Sequence, residues 1–214
     1  MYRKIDMYIK IYIVIFVAVF VLYWLLFLLL FDHNVLSEVN TIWHSLTASF
    51  TVSLFVIAWF NKSLWKWRIC RRLGLISIPI IEGRWEGSLY STWNNFTVPF
   101  KFVVEIRQSL FNVSISCYSD DSVISSIISG FSYDAHELGN LASMMYIYRS
   151  KPIKIHDNKF REHYGTGSMI LGRSKAQVRT LYGVYYNNPH ERPTYGYFEV
   201  QYVGKELHDS FIAG

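Results

Sequence analysis

Cysteine is scarce in this sequence, which contains only Cys70 and Cys117 among its 214 residues. Two cysteines provide neither a disulfide framework nor a zinc site. The sequence therefore indicates a reducing compartment such as the cytoplasm, and it predicts no structural metal.

Residue patterns that carry catalysis are also missing. The sequence contains no Gly-x-Ser-x-Gly elbow, and the histidines after residue 74 do not have the spacing of metal ligands. The glycine-containing segments YGTG and TGSMILG lie inside a strand pattern, whereas a phosphate loop lies at a strand-to-helix turn. We interpret Gly165 and Gly167 as relief for the curvature of a barrel. The chain is therefore predicted to be no enzyme, with no catalytic residue and no cofactor.

The net charge of +5 comes entirely from the N-terminal third of the chain. Eight of the 21 Lys and Arg residues lie before Gly74 together with three acidic residues, whereas thirteen basic and thirteen acidic residues follow. A protein that binds DNA or RNA usually carries its basic excess on the folded domain. We therefore expect no nucleic-acid polymer as a partner.

Two long uncharged segments lie near the N-terminus, Ile11–Phe31 and Thr41–Phe60. Each is about as long as the 20 residues that a helix needs to cross the hydrocarbon core of a bilayer. The first is too long for the apolar region of a signal peptide. Hydroxyl residues alternate through the first half of the second segment, where they can bond backbone carbonyls or a neighbouring helix. We therefore predict a hairpin of two transmembrane helices over residues 1–73.

Basic residues flank this hairpin on one side only. Arg3, Lys4 and Lys10 precede the first segment, five more follow the second between residues 62 and 72, and the connection DHNVLSEVN has none. By the positive-inside rule, both termini are cytoplasmic and the connection faces outward.

After Pro79 the pattern changes to alternating apolar and polar residues that are broken by turn clusters. Short connections favour a closed antiparallel eight-stranded β-barrel over residues 74–214, whose interior holds packed side chains or one small ligand. An immunoglobulin-like sandwich is the alternative, but its Cys-Trp-Cys spacing is missing. The predicted strands are Ile81–Trp93, Val98–Arg107, Leu110–Tyr118, Ser122–Phe131, Leu141–Arg149, His163–Leu171, Val178–Tyr186 and Thr194–Tyr202.

The first predicted strand carries the sequence EGRWEGSLY, with Gly83-Arg84-Trp85 near its start. Gly-x-Trp at this position resembles the first strand of calycin barrels, the lipocalin, fatty-acid-binding and avidin group. The resemblance implies that Trp85 closes one end of the barrel and that Gly83 permits close backbone approach. Those families usually pack a basic residue near the last strand on the tryptophan, and only Lys205 is placed for that role.

Basic and aromatic residues are concentrated in the second half of the predicted barrel. Residues 138–214 hold ten basic residues against six acidic ones, together with nine tyrosines. Aromatic faces beside guanidinium groups suit stacked bases and phosphates, although tyrosine also simply favours strands. The predicted ligand contacts near a barrel mouth are Arg149, Arg179 and Arg192 for phosphate and Trp93, Tyr182 and Tyr195 for stacking.

Two closely spaced N-terminal apolar segments lead directly, through IPIIEGRWEG, into a small β-barrel. This organisation resembles the CD-NTase-associated two-transmembrane β-barrel effectors of bacterial CBASS anti-phage systems. The resemblance implies a location in the bacterial inner membrane and a cyclic dinucleotide as the activating ligand. It also implies a functional link to a CD-NTase, self-association into oligomers, and disruption of the lipid bilayer that kills the infected cell.

Two other functions remain open from the residues alone. A membrane-anchored calycin-like carrier of a small apolar ligand would need an apolar cavity inside its barrel. A non-enzymatic interaction module tethered to the membrane would have a filled barrel.

Overall fold

The computed structural model describes residues 2–30, 39–72, 78–119, 122–134, 141–152, 162–173, 178–187 and 193–211. The chain divides into two units, Met1–Trp67 and Arg68–Gly214.

The first unit contains two helices, α1 (Tyr2–Leu30) and α2 (Val39–Lys62), and a 3-10 turn, Leu64–Lys66. The helices meet at Phe16 and Phe50, whose ring centroids lie 6.0 Å apart. None of the helices in the described part of the chain meets the length and hydropathy that are required of a membrane-spanning segment.

The hydroxyl residues of α2 bond within their own helix. Thr51 Oγ1 donates to the carbonyl of Thr47 at 2.9 Å, and the buried Ser53 Oγ donates to the carbonyl of Ser49 at 2.8 Å. Such bonds to the preceding turn satisfy a hydroxyl where no water is available. This is one of the two roles that the alternating hydroxyls were expected to play.

The second unit begins with a short helix, α3 (Arg68–Arg72), and then forms a closed barrel in which each strand pairs with the next and β8 pairs with β1. All pairs are antiparallel. The eight-stranded barrel predicted from the alternating pattern is therefore confirmed. Its strands are β1 (Gly83–Ser91), β2 (Phe100–Gln108), β3 (Val113–Tyr118), β4 (Ser122–Asp134), β5 (Leu141–Pro152), β6 (His163–Arg173), β7 (Thr180–Asn187) and β8 (Thr194–Gly204).

The lumen of the barrel is filled with side chains. Alternate residues of each strand point inward, and the rings of Tyr146, Tyr148 and Phe198 are buried there among Met144, Met169 and other apolar residues. Each ring lies against a glycine of the neighbouring strand, where any side chain would collide with it. Gly165 accommodates Tyr148, Gly167 accommodates Tyr146, and Gly183 accommodates Phe198. Gly165 and Gly167 therefore leave space for the rings of Tyr148 and Tyr146. The interpretation from the sequence, which was relief for barrel curvature, did not include this role.

One end of the barrel is closed by the segment that leads into β1. Trp85 is buried, and its indole Nε1 donates to the carbonyl of Ile81 at 3.0 Å. The side-chain amide of Gln108 holds the same segment, because it accepts from the Ile81 N–H and donates to the Pro79 carbonyl, both at 2.9 Å. The expected partner Lys205 is exposed. Tyr202 packs edge-on against the indole instead, at 5.1 Å between ring centroids.

The arginine of the same motif points to the outside, where a C-terminal segment of residues 205–211, here called the strap, crosses β1 and β2. Arg84 is 2% exposed and Glu105 is fully buried, and Arg84 Nη1 lies 2.7 Å from Glu105 Oε1. The guanidinium also donates to the carbonyls of Ser210 and Phe211, while Glu105 accepts the N–H groups of His208 and Asp209. One buried ion pair therefore fastens the strap at four backbone positions.

We predict that Trp85→Ala lowers the free energy of unfolding by about 3–5 kcal/mol, because the cavity it leaves lies in a packed core. Thermal unfolding of the protein of residues 73–214 measures the loss. The matched control is Trp93→Ala, which removes an exposed tryptophan and should leave the stability nearly unchanged. Equal loss from the two variants would contradict the packing described for Trp85.

Arg84→Ala should cost a similar amount, about 3–5 kcal/mol, since it leaves the buried Glu105 carboxylate without its cation. Its control is Arg107→Ala, which breaks an exposed ion pair with Asp209 of the same strap and should cost no more than about 1 kcal/mol. Amide hydrogen exchange should also accelerate in residues 205–211 of the Arg84 variant alone. Unchanged exchange there would mean that the ion pair does not hold the strap.

Candidate ligand site at the barrel mouth

The end of the barrel opposite Trp85 is here called the mouth; β1, β3, β5 and β7 end there and β2, β4, β6 and β8 begin there. Strand register brings a group of inward-facing polar side chains together at this end. The group consists of Ser91, Tyr148, Ser150, His163, Tyr185, Asn187 and Thr194. These side chains lie directly above the apolar core, so the character of the lumen changes at the mouth.

Hydrogen bonds connect the polar side chains of the mouth. Tyr185 Oη donates to Ser91 Oγ at 2.6 Å. The Asn187 amide nitrogen lies 3.0 Å from His163 Nε2, and its oxygen accepts the backbone N–H of Thr194 at 3.1 Å. Burial raises the pKa of Tyr148 and that of Tyr185, so both hydroxyls stay protonated at neutral pH. These two tyrosines therefore offer neutral hydroxyl groups at the mouth.

A tight loop after β1 fixes an aromatic rim beside this network. Ser91 Oγ accepts the N–H of Trp93 at 3.0 Å, and Thr92 Oγ1 exchanges hydrogen bonds with the backbone N–H and carbonyl of Tyr195 at 3.1 and 3.2 Å. These bonds hold Trp93 against the start of β8. The same Ser91 hydroxyl thus joins the loop to the inner network.

Four more rings extend the rim along the outer surface. Tyr186 lies directly across from Tyr195 and stacks on it with 6.4 Å between centroids. Phe96 contacts Tyr195 and stacks on Tyr197 at 5.9 Å, and Tyr197 stacks on Tyr90 at 4.9 Å. Tyr186, Tyr195 and Tyr197 are exposed, and exposed aromatic faces are suited to stacking on planar ligands.

The loop that carries Phe96 has an uncommon backbone conformation. Asn95 and Phe96 have φ angles of 56° and 59°, in the left-handed region that a bulky residue such as phenylalanine rarely adopts. The N–H of Phe96 is bonded to the carbonyl of Ser91 at 2.9 Å, which holds the turn closed. Strain of this kind persists where the surrounding structure fixes it, and it concentrates at ligand sites.

The structure brings two of the six predicted contacts together and separates the others. Trp93 and Tyr195 are neighbours at the rim through Thr92. Tyr182 is also on the outer surface of β7, but it lies four residues from Tyr186, about 13 Å along the strand, and its hydroxyl is bonded to Glu199. As ligand contacts, all six residues stay predictions.

The three predicted arginines lie in different places. Arg149 is on the outer surface near the mouth, where its Nη2 lies 2.9 Å from Glu162 Oε2 and its Nε also contacts that carboxylate. This hydrogen bonding lowers the pKa of Glu162. Arg179 precedes β7 at the opposite end of the barrel, where its carbonyl accepts the N–H of Tyr202. Arg192 lies outside the described residues.

The sequence pattern did not single out the inner network or the rings of Phe96 and Tyr186. Strand alternation distinguishes two faces but does not say which face is inside. The stack of Tyr186 on Tyr195 depends on the register between β7 and β8, which no single segment encodes. The pair Tyr185-Tyr186 was nevertheless a usable signal, because adjacent tyrosines in a strand must point to opposite faces.

These features define a class of protein: a closed β-barrel with a packed lumen, whose candidate site lies at the mouth and rim. Within the described ranges, no group of three or more His, Cys, Asp or Glu residues could hold a metal ion. The filled lumen leaves the apolar carrier without the cavity that it would need.

Residues 76–202 match the family model described as Cap15, cyclic dinucleotide receptor domain. The chain therefore belongs to the Cap15 family, which is a family of CBASS effectors. The description names a receptor domain and not a catalytic one. No curated protein matches the chain.

We predict that Tyr195→Ala weakens cyclic dinucleotide binding, whereas Tyr182→Ala does not. The two tyrosines are equally exposed, at 53% and 51%, and occupy adjacent strands of the same barrel, but only Tyr195 lies at the rim. Loss of one stacked base costs roughly 1–3 kcal/mol, which is about a 5- to 150-fold rise in Kd. Calorimetry on residues 73–214 measures it. Equal losses for both variants would place the ligand elsewhere.

Proposed function

We propose that the chain is a membrane-anchored anti-phage effector whose barrel senses a cyclic dinucleotide and whose N-terminal helices disrupt the inner membrane. The observation that carries the proposal is the match of the barrel to a cyclic dinucleotide receptor domain. In this scheme, phage infection activates a CD-NTase, its product binds the barrel, and the assembled helices kill the cell before phage replication ends.

The mouth and its rim supply the contacts that such a ligand requires. The rings of Trp93, Tyr186 and Tyr195 offer faces for the two bases, and stacking on each contributes about 1–3 kcal/mol. Tyrosine hydroxyls and the Asn187 amide can read the edge of a base. Arg149 is the nearest described arginine to the mouth. To bind a phosphate, its guanidinium releases the Glu162 carboxylate and pairs with the phosphate instead. Exchange of one anion for another keeps the guanidinium paired throughout.

Exposed apolar side chains support membrane anchoring by the first unit, although neither helix meets the criterion for a span. Leu29 of α1 and Phe55 of α2 are among many large apolar residues that are exposed on the helices. Such a surface is unfavourable in water and suits a hydrocarbon solvent. With 29 and 24 residues, the helices are about 43 and 36 Å long, which exceeds the roughly 30 Å hydrocarbon core.

A short tether explains how a ligand at the barrel can act on the helices. Only residues 73–82 separate α3 from β1, so barrels that associate bring their helices together. A tether of this length raises the effective concentration of a second contact without any new affinity. The ligand has only to bind the associated state more tightly than the separate one.

We predict that a cyclic dinucleotide releases dye from liposomes that contain the full chain. The liposomes carry phosphatidylethanolamine and phosphatidylglycerol, and the linear dinucleotide of the same bases is the ligand control. Residues 73–214 should still bind the nucleotide and release no dye. The full chain with Tyr195→Ala should require about 5- to 150-fold more nucleotide.

Two outcomes separate the parts of this proposal. If no cyclic dinucleotide binds residues 73–214 at micromolar concentration, the receptor function fails. If a nucleotide binds but the full chain releases no dye, the barrel is a receptor and membrane disruption by the helices is wrong.

A further inference from the structure

The outer surface of the barrel has two unlike halves. On β1 and β2, the strap covers the ion pair of Arg84 and Glu105 and leaves Val103 fully buried although it points outward. On β4, β5, β6 and β7, no other described residue of the second unit covers the described outward residues in this way, and they remain exposed or half-exposed.

Three adjacent rows within this uncovered region, across β4 to β7, form a patch that is here called the bare face. Strand register aligns Ile128, Ile147, Thr166 and Tyr186 in one row, and Gly130, Met145, Ser168 and Val184 in the next. Ser143, Ile170 and Tyr182 form the third. None of these eleven residues carries a charge at neutral pH. The apolar side chains Ile128, Met145, Ile147, Ile170 and Val184 are 63, 61, 43, 43 and 37% exposed.

This composition is unusual for a surface in contact with water. The largest apolar patch on a monomeric protein is typically about 300–600 Å² and is often functional, and the solvent-facing side of an antiparallel sheet normally carries polar residues. Small residues, Gly130 and Ser168, alternate with Met145 and Val184 along one row. The large side chains protrude and the small residues leave depressions between them. A row of this shape can pack against the same row of a second copy in an isologous contact.

The absence of charge decides which partner fits. A bacterial membrane surface is anionic and attracts Lys and Arg, and none of the eleven residues is basic. A charged protein partner would find no complement either. A second copy of the same face is neutral, apolar and matched in size. Arg149 and Glu162 at the edge neutralise each other through their ion pair.

The size of the bare face sets the strength of the contact. Four strands about 4.8 Å apart and three rows about 6.7 Å apart, with their side chains, span roughly 20 by 20 Å. The flat area of about 400 Å² is half of the roughly 800 Å² that each partner buries in a standard interface. We therefore expect a weak contact in dilute solution, which becomes populated when a tether or a ligand raises the local concentration.

We propose that the bare face is the surface through which two barrels of this chain associate, in an isologous contact centred on Met145 and Ile147. This inference rests on the proposed function and assigns the association step to one face of the barrel. The rim residue Tyr186 also belongs to the first row of the face, so a ligand at the mouth lies at its edge.

Cysteine cross-linking of the full chain in membranes isolated from cells, with copper phenanthroline added as the oxidant, tests the contact. In a Cys70→Ala background with the buried Cys117 kept, Met145→Cys should form a disulfide-linked product at twice the 25.2 kDa of the chain. The matched control is Val203→Cys on β8, which is equally exposed at 60% but lies outside the face. With or without a cyclic dinucleotide, Met145→Cys should give at least about fivefold more dimer, because the contact raises the local concentration of its own copy.

A charge on the face should abolish the cross-link. Ile147→Glu combined with Met145→Cys should reduce the dimer by at least about tenfold, since a carboxylate buried without a partner is strongly unfavourable. Val203→Glu in the same background should leave the dimer unchanged. Thermal unfolding of residues 73–214 shows that each glutamate variant is folded.

Three outcomes would overturn the inference. Met145→Cys giving no more dimer than Val203→Cys in both conditions excludes the contact. A cross-linked product of another mass means a different protein on the face. Loss of liposome binding by Ile147→Glu, without any dimer, means that the face contacts lipid. Cyclic dinucleotide binding by Ile147→Glu is measured separately, so failure of the receptor function is not mistaken for failure of this contact.

Discussion

The buried ion pair between Arg84 and Glu105 is the interaction on which the rest of the barrel depends. It joins β1 and β2 to the chain that follows β8, at the seam where the first and last strands close the barrel. Two buried charges are unfavourable unless they are paired and their remaining hydrogen bonds are made, and here the strap backbone makes them. The same ion pair therefore lies at the closure of the barrel and fastens the strap that covers part of its outer surface.

The filled lumen decides where a ligand can bind. An eight-stranded barrel can hold one small ligand inside only if its inward side chains leave a cavity. In this barrel, the rings of Tyr146, Tyr148 and Phe198 occupy that space. They fit because the residues beside them on the neighbouring strands are glycines, which have no side chain. The first strand resembles that of a calycin, but the barrel that it begins has a packed lumen. The polar network of the mouth and the rings of its rim are therefore where we propose that recognition occurs.

Much of the fold followed from the sequence because alternation is a local property. KFVVEIR and similar segments alternate strictly, so the number and order of strands were predictable, as was the inward position of Trp85. The positions of individual tyrosines were not. Tyr182, Tyr185 and Tyr186 are equally favourable in a strand, but Tyr185 is bonded to Ser91 near the lumen while the other two point outward. Only the register between strands, which is set by the whole barrel, distinguishes them.

The sequence did not show where the predicted arginines lie in the barrel. Arg149, Arg179 and Arg192 were predicted from the basic half of the domain and from strand ends near a possible barrel mouth, but nearness in sequence is not nearness in a barrel. Arg149 is already paired with Glu162, and Arg179 is at the far end. The partner of Trp85 is Tyr202 and not Lys205, because Tyr202 lies two residues after the inward-facing Val200 on β8 and therefore also points inward. Alternation along one strand predicts which residues share a face. Which residues of different strands lie side by side depends on the register between the strands.

The position of Tyr186 links the two surfaces that the proposed function needs. It stacks on Tyr195 at the rim and also ends one row of the bare face. A ligand that orders these rings changes the edge of the association surface without moving the rigid, packed core. By linkage, a nucleotide that prefers the associated state is bound more tightly by associated barrels, by the same factor by which it promotes association. A contact that is weak alone is then an advantage, because a strong one would assemble the helices with no nucleotide present.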